Sequence, residues 1–201
     1  MKKLKTNTQT KQRLVTLLIL VLIMVILSCI SNKYLTVNNL INIVRQESTL
    51  IIIACAATML MISGGMDLSP AGVIALTSVV FAKLCVAGIS IPLAALLSLL
   101  VGVAAGTFSG LLVVLANVPP MIATLGTWYI TKGLAYAISN SYAIVQGLPA
   151  NFGWVNRYVG PFPLMLLIAL VVFVVFYVML NRTLLGKYAY AIGGNSETAR
   201  L

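Results

Sequence analysis

The sequence contains no histidine and only three acidic residues, Glu47, Asp67 and Glu197, in 201 positions. Paired-carboxylate hydrolysis, imidazole acid–base chemistry and histidine-based zinc sites are thereby nearly excluded. Cysteine is also sparse. Cys29, Cys55 and Cys85 each fall within an apolar run, no pair has metal-ligand spacing, and no disulfide framework is implied. Charged residues make up 8% of the chain, against about 25% in soluble domains. No glycine-rich phosphate loop closing on Gly-Lys-Ser or Gly-Lys-Thr occurs. The chain is therefore expected to have no catalytic residues, metal or cofactor of its own.

What is abundant is apolar surface. Hydrophobic residues make up 61% of the chain, leaving too few polar ones to coat a soluble globule. The net charge of +10 is concentrated at the ends. Lys2, Lys3, Lys5, Lys11 and Arg13 precede the first apolar run, and Arg182, Lys187 and Arg200 follow the last. The positive-inside rule assigns such segments to the cytoplasm. A nucleic-acid partner is not expected, because no exposed basic face interleaved with aromatics is present.

Six apolar runs are candidate spans: residues 14–30, 49–62, 71–88, 92–116, 121–139 and 162–180. The expected fold is all-α, a polytopic transmembrane bundle of about six spans surrounded by lipid. An even count keeps both basic ends on one side, so the N-terminus is expected in the cytoplasm. Residues 1–13 then form a basic N-terminal segment, 14–181 the membrane domain and 182–201 a second cytoplasmic segment. Residues 140–161 lie outside, with Trp154 and Tyr158 suited to the interface, and Lys33, Arg45 and Glu47 sit in the first outer loop. A basic start before an apolar run is also the plan of a signal peptide, and residues 26–29 resemble a lipoprotein cleavage box. The length of the run and the spans that follow favour a retained helix. Residues 49–62 are short for a span, which leaves a re-entrant or broken element open there.

That short run leads into Ser63-Gly64-Gly65-Met66-Asp67-Leu68-Ser69-Pro70. Asp67 is the only acid in the short break between the second and third apolar runs, and a carboxylate at the bilayer is a functional candidate by default. With Gly64, Gly65, Ser69 and Pro70 around it, the backbone is expected to break there, as in helices that line water-filled cavities. Asp67 reads equally well as the N-cap of the third span. Thr124, Thr127 and Thr131 share one face of the fifth span, beside Trp128. Hydroxyls next to an aromatic suit a passing polar solute, although such threonines more often bond to their own i−4 carbonyl or to a neighbouring helix.

Gly102, Gly106 and Gly110 form a GxxxGxxxG stripe on the fourth span, extended upstream by Ala94 and Ser98. Packing within the bundle is the favoured reading, and a seam between subunits the sharper one. At the far end, a Gly193–Gly194 break precedes Asn195, a good helix N-cap, with Glu197 in the first turn and Arg200 beyond. The segment is expected to be a short helix held just outside the membrane and offered to a cytoplasmic partner.

Four stretches in order resemble one family: ISGGMDLSPAGV at residues 62–73, VPPMIATLGTWYITKG at 118–133, RTLLG at 182–186 and YAIGGNSETARL at 190–201. They are similar to the permease subunits of bacterial ABC importers for ribose and related sugars, a family related to branched-chain amino-acid permeases. Pro70-Ala71-Gly72 and Thr198 depart from the common family residues without altering the class. The resemblance implies two permease subunits, identical or paralogous, forming a path across the inner membrane. It implies a periplasmic or lipid-anchored binding protein that delivers the sugar, and separate ATPase subunits that drive the cycle. Residues 193–201 stand where such permeases couple to the ATPase. Family members continue beyond this segment, so the chain is expected to be about the first two-thirds of such a permease, with the coupling segment truncated. An ion-coupled secondary transporter and a non-transporting remnant are the competing readings.

Overall fold

The computed structural model describes residues 2–195, with side chains from residue 10 onward. The chain divides into two compact units, Met1–Glu47 and Ser48–Leu201. Seven α-helices follow one another: α1 Lys2–Ile30, α2 Val37–Ile62, α3 Pro70–Val86, α4 Ile91–Val114, α5 Pro120–Ser139, α6 Leu164–Arg182 and α7 Leu184–Gly194. A 3-10 turn at Trp154–Asn156 and a two-residue hairpin, β1 Tyr158–Val159 against β2 Phe162–Pro163, lie between α5 and α6.

Among the described residues, four helical segments are long and apolar enough to cross a membrane: Thr10–Ile30, α2, α4 and α6. α3 is apolar but has 17 residues. At 1.5 Å per residue that is about 26 Å, short of a hydrocarbon core of about 30 Å. α5 has 20 residues and carries three threonines and Lys132.

The second helix corrects the sequence reading. It begins at Val37 and not near residue 49, so Arg45 and Glu47 are helical and do not lie in a loop. Thr36 explains the early start: its Oγ1 accepts the Asn39 N–H at 3.4 Å, in the manner of an N-cap. The asparagines of the first turns hid the helix from a reading based on apolar runs. With 26 residues, α2 is not short.

The helix ends are built by small sets of residues. Gly88 (φ +84°) closes α3, with Gly88 N–H donating to the Cys85 carbonyl and Ile89 N–H to that of Leu84, each at 3.1 Å. Asn140 (φ 53°) closes α5 in the same left-handed way. Pro92 and Pro120 occupy first-turn positions of α4 and α5, where a missing N–H is harmless. Phe81 of α3 stacks on Phe152 with ring centroids 5.2 Å apart, holding the 140–163 connection over the α3–α4 turn around Cys85, Ile91 and Ala94.

The main seam joins α3 to α5. On its α5 side Ala123, Thr127, Thr131 and Ala135 are buried. Its α3 side turns on Gly72. A Cβ there would fall against the Trp128 carbonyl, 2.5 Å from Thr131 Oγ1 and 2.6 Å from Trp128 Cδ1. Gly72→Ala is therefore expected to destabilise the protein by about 1–3 kcal/mol, the usual consequence of overpacking. A thermal-denaturation midpoint in detergent that does not fall would show that the seam can widen.

Candidate functional site

The Gly64-Gly65 pair ends α2. Gly64 takes a left-handed conformation (φ +81°), and its N–H donates to the Met61 carbonyl while that of Gly65 donates to Leu60, both at 3.0 Å. This is a Schellman cap, and it requires a residue at ease with positive φ. The next residues run without helix to Ser69, which occupies the N-cap position of α3, with Pro70 following. Asp67 is thus not the N-cap but lies two residues upstream. Its Oδ1 accepts the Ser69 N–H at 2.7 Å, an Asx turn that stiffens the entry to α3.

Beside this segment lies a cavity of about 320 Å³ between the ends of α2, α4 and α5. Gly65, Met66 and Asp67 form one wall, Gly106, Ser109 and Gly110 of α4 another, and Pro120 and Thr124 of α5 a third. Leu60, Val113 and Val114 complete an otherwise apolar lining. Position 67 is exposed while Ser109 and Thr124 are buried. The α5 wall is placed by a tight connection: Asn117 (φ 54°) reverses the chain after α4, Val118 N–H donates to the Leu112 carbonyl at 3.0 Å, and Pro119-Pro120 start α5.

The threonine face is divided. Thr124 lines the cavity, whereas Thr127 and Thr131 lie in the α3–α5 seam. All three hydroxyls donate to their own helix: Thr124 to Pro120 at 2.8 Å, Thr127 to Ala123 at 2.9 Å and Thr131 to Thr127 at 2.7 Å. Trp128 is half-buried, its ring stacks on Tyr129, and Lys132 Nζ lies 5.9 Å from the Trp128 and Tyr136 ring centroids. Such a contact holds an ammonium at the edge of an apolar region.

The glycine stripe also differs from expectation. Only Gly102 faces α3, where a Cβ would be 3.4 Å from Thr77 Cγ2; a Cβ at Gly106 or Gly110 would meet nothing within 4 Å. Those two glycines open the cavity wall and pack against no neighbouring helix of the described chain. Among the described residues, no group of three His, Cys, Asp or Glu gathers to hold a metal ion.

The segment after α6 is a corner followed by a helix, which moves the expected break. Thr183 Oγ1 donates to the Met179 carbonyl at 2.5 Å, and the extended Thr183 backbone separates α6 from α7. A Cβ at Gly186 would meet the Leu180 carbonyl, so glycine lets α7 fold back against the end of α6. Gly193 and Gly194 are the last turn of α7, and Asn195 is its C-cap, donating its N–H to the Ala191 carbonyl at 3.0 Å; the helix expected from Asn195 onward lies outside the described residues. Glu197 and Arg200 lie outside the described residues. A Cβ at Gly193 would strike the Ile62 carbonyl, two residues before the Gly64 cap that leads into the cavity wall.

Gly72, Ser109 and Gly186 escaped sequence reasoning as site or seam residues. Gly72 and Gly186 stand inside the family-like stretches, and Ser109 sits within the glycine stripe at the spacing that shares a face with Gly106.

Apolar helices of spanning length among the described residues mark a multi-pass membrane protein. A family model described as the branched-chain amino acid transport system / permease component matches residues 39–201, and the chain belongs to that family. It is 33% identical over 191 residues to the ribose import permease protein RbsC of Escherichia coli, covering 92% of this chain and 59% of that protein. It is 32% identical over 212 residues to the fructose import permease protein FruG of Bifidobacterium longum, covering 100% and 62%. It is 34% identical over 189 residues to the D-allose transport system permease protein AlsC of Escherichia coli, covering 92% and 57%. The chain thus spans about three-fifths of the length of the curated relatives it matches. No solved structure matches.

The two terminal glycines of α7 should respond differently to alanine. Gly193→Ala is expected to weaken the protein by about 1–3 kcal/mol through the clash with Ile62. Gly194→Ala, with open space around it, is expected to be neutral or to stabilise α7 by up to about 1 kcal/mol. Equal effects of the two changes on the melting midpoint would remove the α7–α2 contact from the account.

Proposed function

We propose that the chain is the membrane-embedded permease component of an ATP-driven importer of the ABC class, in the bacterial inner membrane. It carries a monosaccharide or similar polar solute inward. The observation that carries the reading is the continuity from α7 to the cavity. Gly193 rests on the end of α2, Gly64 caps that end, and Gly65–Asp67 form the cavity wall. A push on α7 therefore acts two residues away from a hinge that borders a solute-sized space. Family membership and the sugar-import names of the relatives support the substrate class.

In this reading the basic ends place the N-terminus and α7 in the cytoplasm. α7 and the residues after it, including Asn195, Glu197 and Arg200, dock on a separate ATPase, because the sequence has no phosphate-binding loop of its own. A periplasmic or lipid-anchored binding protein delivers solute to the opposite face, and a second permease, identical or paralogous, completes the path. Gly64, Gly65, Asp67, Ser69 and Thr124 border the translocation route. Thr127, Thr131 and Trp128 support it through the α3–α5 seam.

Two measurements test this. Uptake of radiolabelled D-ribose, D-fructose or D-allose into cells should stop when ATP is depleted and persist when an uncoupler collapses the ion gradients. The reverse pattern would make the protein an ion-coupled carrier. Asp67→Asn keeps an acceptor for the Ser69 N–H but removes the charge. It is expected to lower uptake about tenfold or more, while the amount in the membrane changes little. Parallel loss of both would reduce Asp67 to a capping role.

A further inference from the structure

We propose that Ser109 is a solute-contacting hydroxyl that helps decide which solutes pass, and that it works with the free face of Asp67 on the wall of the same cavity. This deepens the importer reading and rests on it. Ser109 is 5% exposed, lines the cavity, and its Oγ finds no hydrogen-bond partner among the described residues. That is unusual in this molecule. Ser98, the other buried serine toward the start of α4, donates to the Ala94 carbonyl at 2.7 Å, and the three α5 threonines bond back in the same way. A buried hydroxyl left unpaired is destabilising, and its persistence calls for an occupant that pairs with it.

The surroundings suit such an occupant. Gly106 and Gly110, three residues before Ser109 and one after, present no side chain, and a Cβ at either would stand in open space. Neither glycine adds a side chain to the cavity wall beside Ser109. Asp67 uses Oδ1 for the Ser69 N–H, and Oδ2 makes no hydrogen bond among the described residues. The cavity thus offers one acceptor-only group and one hydroxyl that can both donate and accept, in a mostly apolar space of about 320 Å³. A neutral solute with several hydroxyls, of monosaccharide size, matches this set. One of its hydroxyls donates to Asp67 and a second pairs with Ser109.

The test uses the transporter assembled with its ATPase and binding protein in proteoliposomes, with D-ribose, D-fructose and D-allose as probes. Ser109→Ala should lower uptake per ATP hydrolysed by about three- to tenfold, the worth of one hydrogen bond. Ser109→Thr, which keeps the hydroxyl, should retain most of it. In a background with Cys29, Cys55 and Cys85 replaced by alanine, Ser109→Cys should react with a methanethiosulfonate reagent, and the transported sugar should slow that reaction at least about threefold. Unchanged coupling in Ser109→Ala together with a raised melting midpoint would mark the hydroxyl as a structural orphan and overturn the proposal. So would labelling that ignores the sugar while uptake continues. If the unaltered transporter carries none of the three sugars, the sugar-importer reading falls, and this proposal with it.

Discussion

The close approach of α3 and α5 at Gly72 is the contact on which the rest of the site depends. In lipid an apolar side chain gains nothing by exchanging acyl chains for another helix, so association rests on packing at short range. Glycine on α3 and alanine and threonine on α5 permit that range. The threonine hydroxyls are consumed inside α5, so their burial leaves no polar group unmet. The seam therefore behaves as a small-residue surface despite its threonines. It sets the start of α3 against the middle of α5, and Asp67, just before α3, shares one cavity with Thr124.

The cavity is made from helix ends, where backbone groups must find partners outside the helix ladder. Gly64 satisfies the end of α2, and Asp67 satisfies the Ser69 N–H at the start of α3. Such a wall has these backbone groups paired without belonging to a regular element. The polar capacity left over is small and specific: one carboxylate oxygen and the hydroxyl of Ser109. A site that binds too well would trap what it carries. Two polar contacts in an apolar space suit passage better than a full cage of hydrogen bonds.

The class of the fold was legible because apolar runs, end-weighted charge and four ordered motifs agree. Each of the six apolar runs overlaps a helix, α1 to α6, but only Thr10–Ile30, α2, α4 and α6 have spanning length and composition among the described residues. α2 was misjudged because Asn38, Asn39, Asn42, Arg45 and Glu47 break the apolar signal without breaking the helix. The Gly-Gly pairs are the instructive contrast. Gly64-Gly65 lies beyond a helix and ends it through a positive φ, whereas Gly193-Gly194 lies inside the last turn of one. The second pair is glycine for closeness at one position, a tertiary demand that no local rule reports. Ser109 was hidden for a similar reason. An unmade hydrogen bond is a property of the surroundings, and the glycine stripe around it reads as packing until the space beside Gly106 and Gly110 is found empty.

α7 gains its importance from being held at both ends by backbone contact. Gly186 sets its start against Leu180 of α6, and Gly193 sets its end against Ile62 of α2. Side chains can yield by changing rotamer; a carbonyl fixed in a helix cannot do so without moving the helix. A displacement of α7 under the proposed coupling would therefore be shared by α6 and the last turn of α2 instead of being absorbed locally. The first soft point it reaches is Gly64, where the left-handed cap passes into the extended residues of the cavity wall. Rigid contact up to that residue and conformational freedom at it are the two properties a coupling path needs. In this chain they are two positions apart.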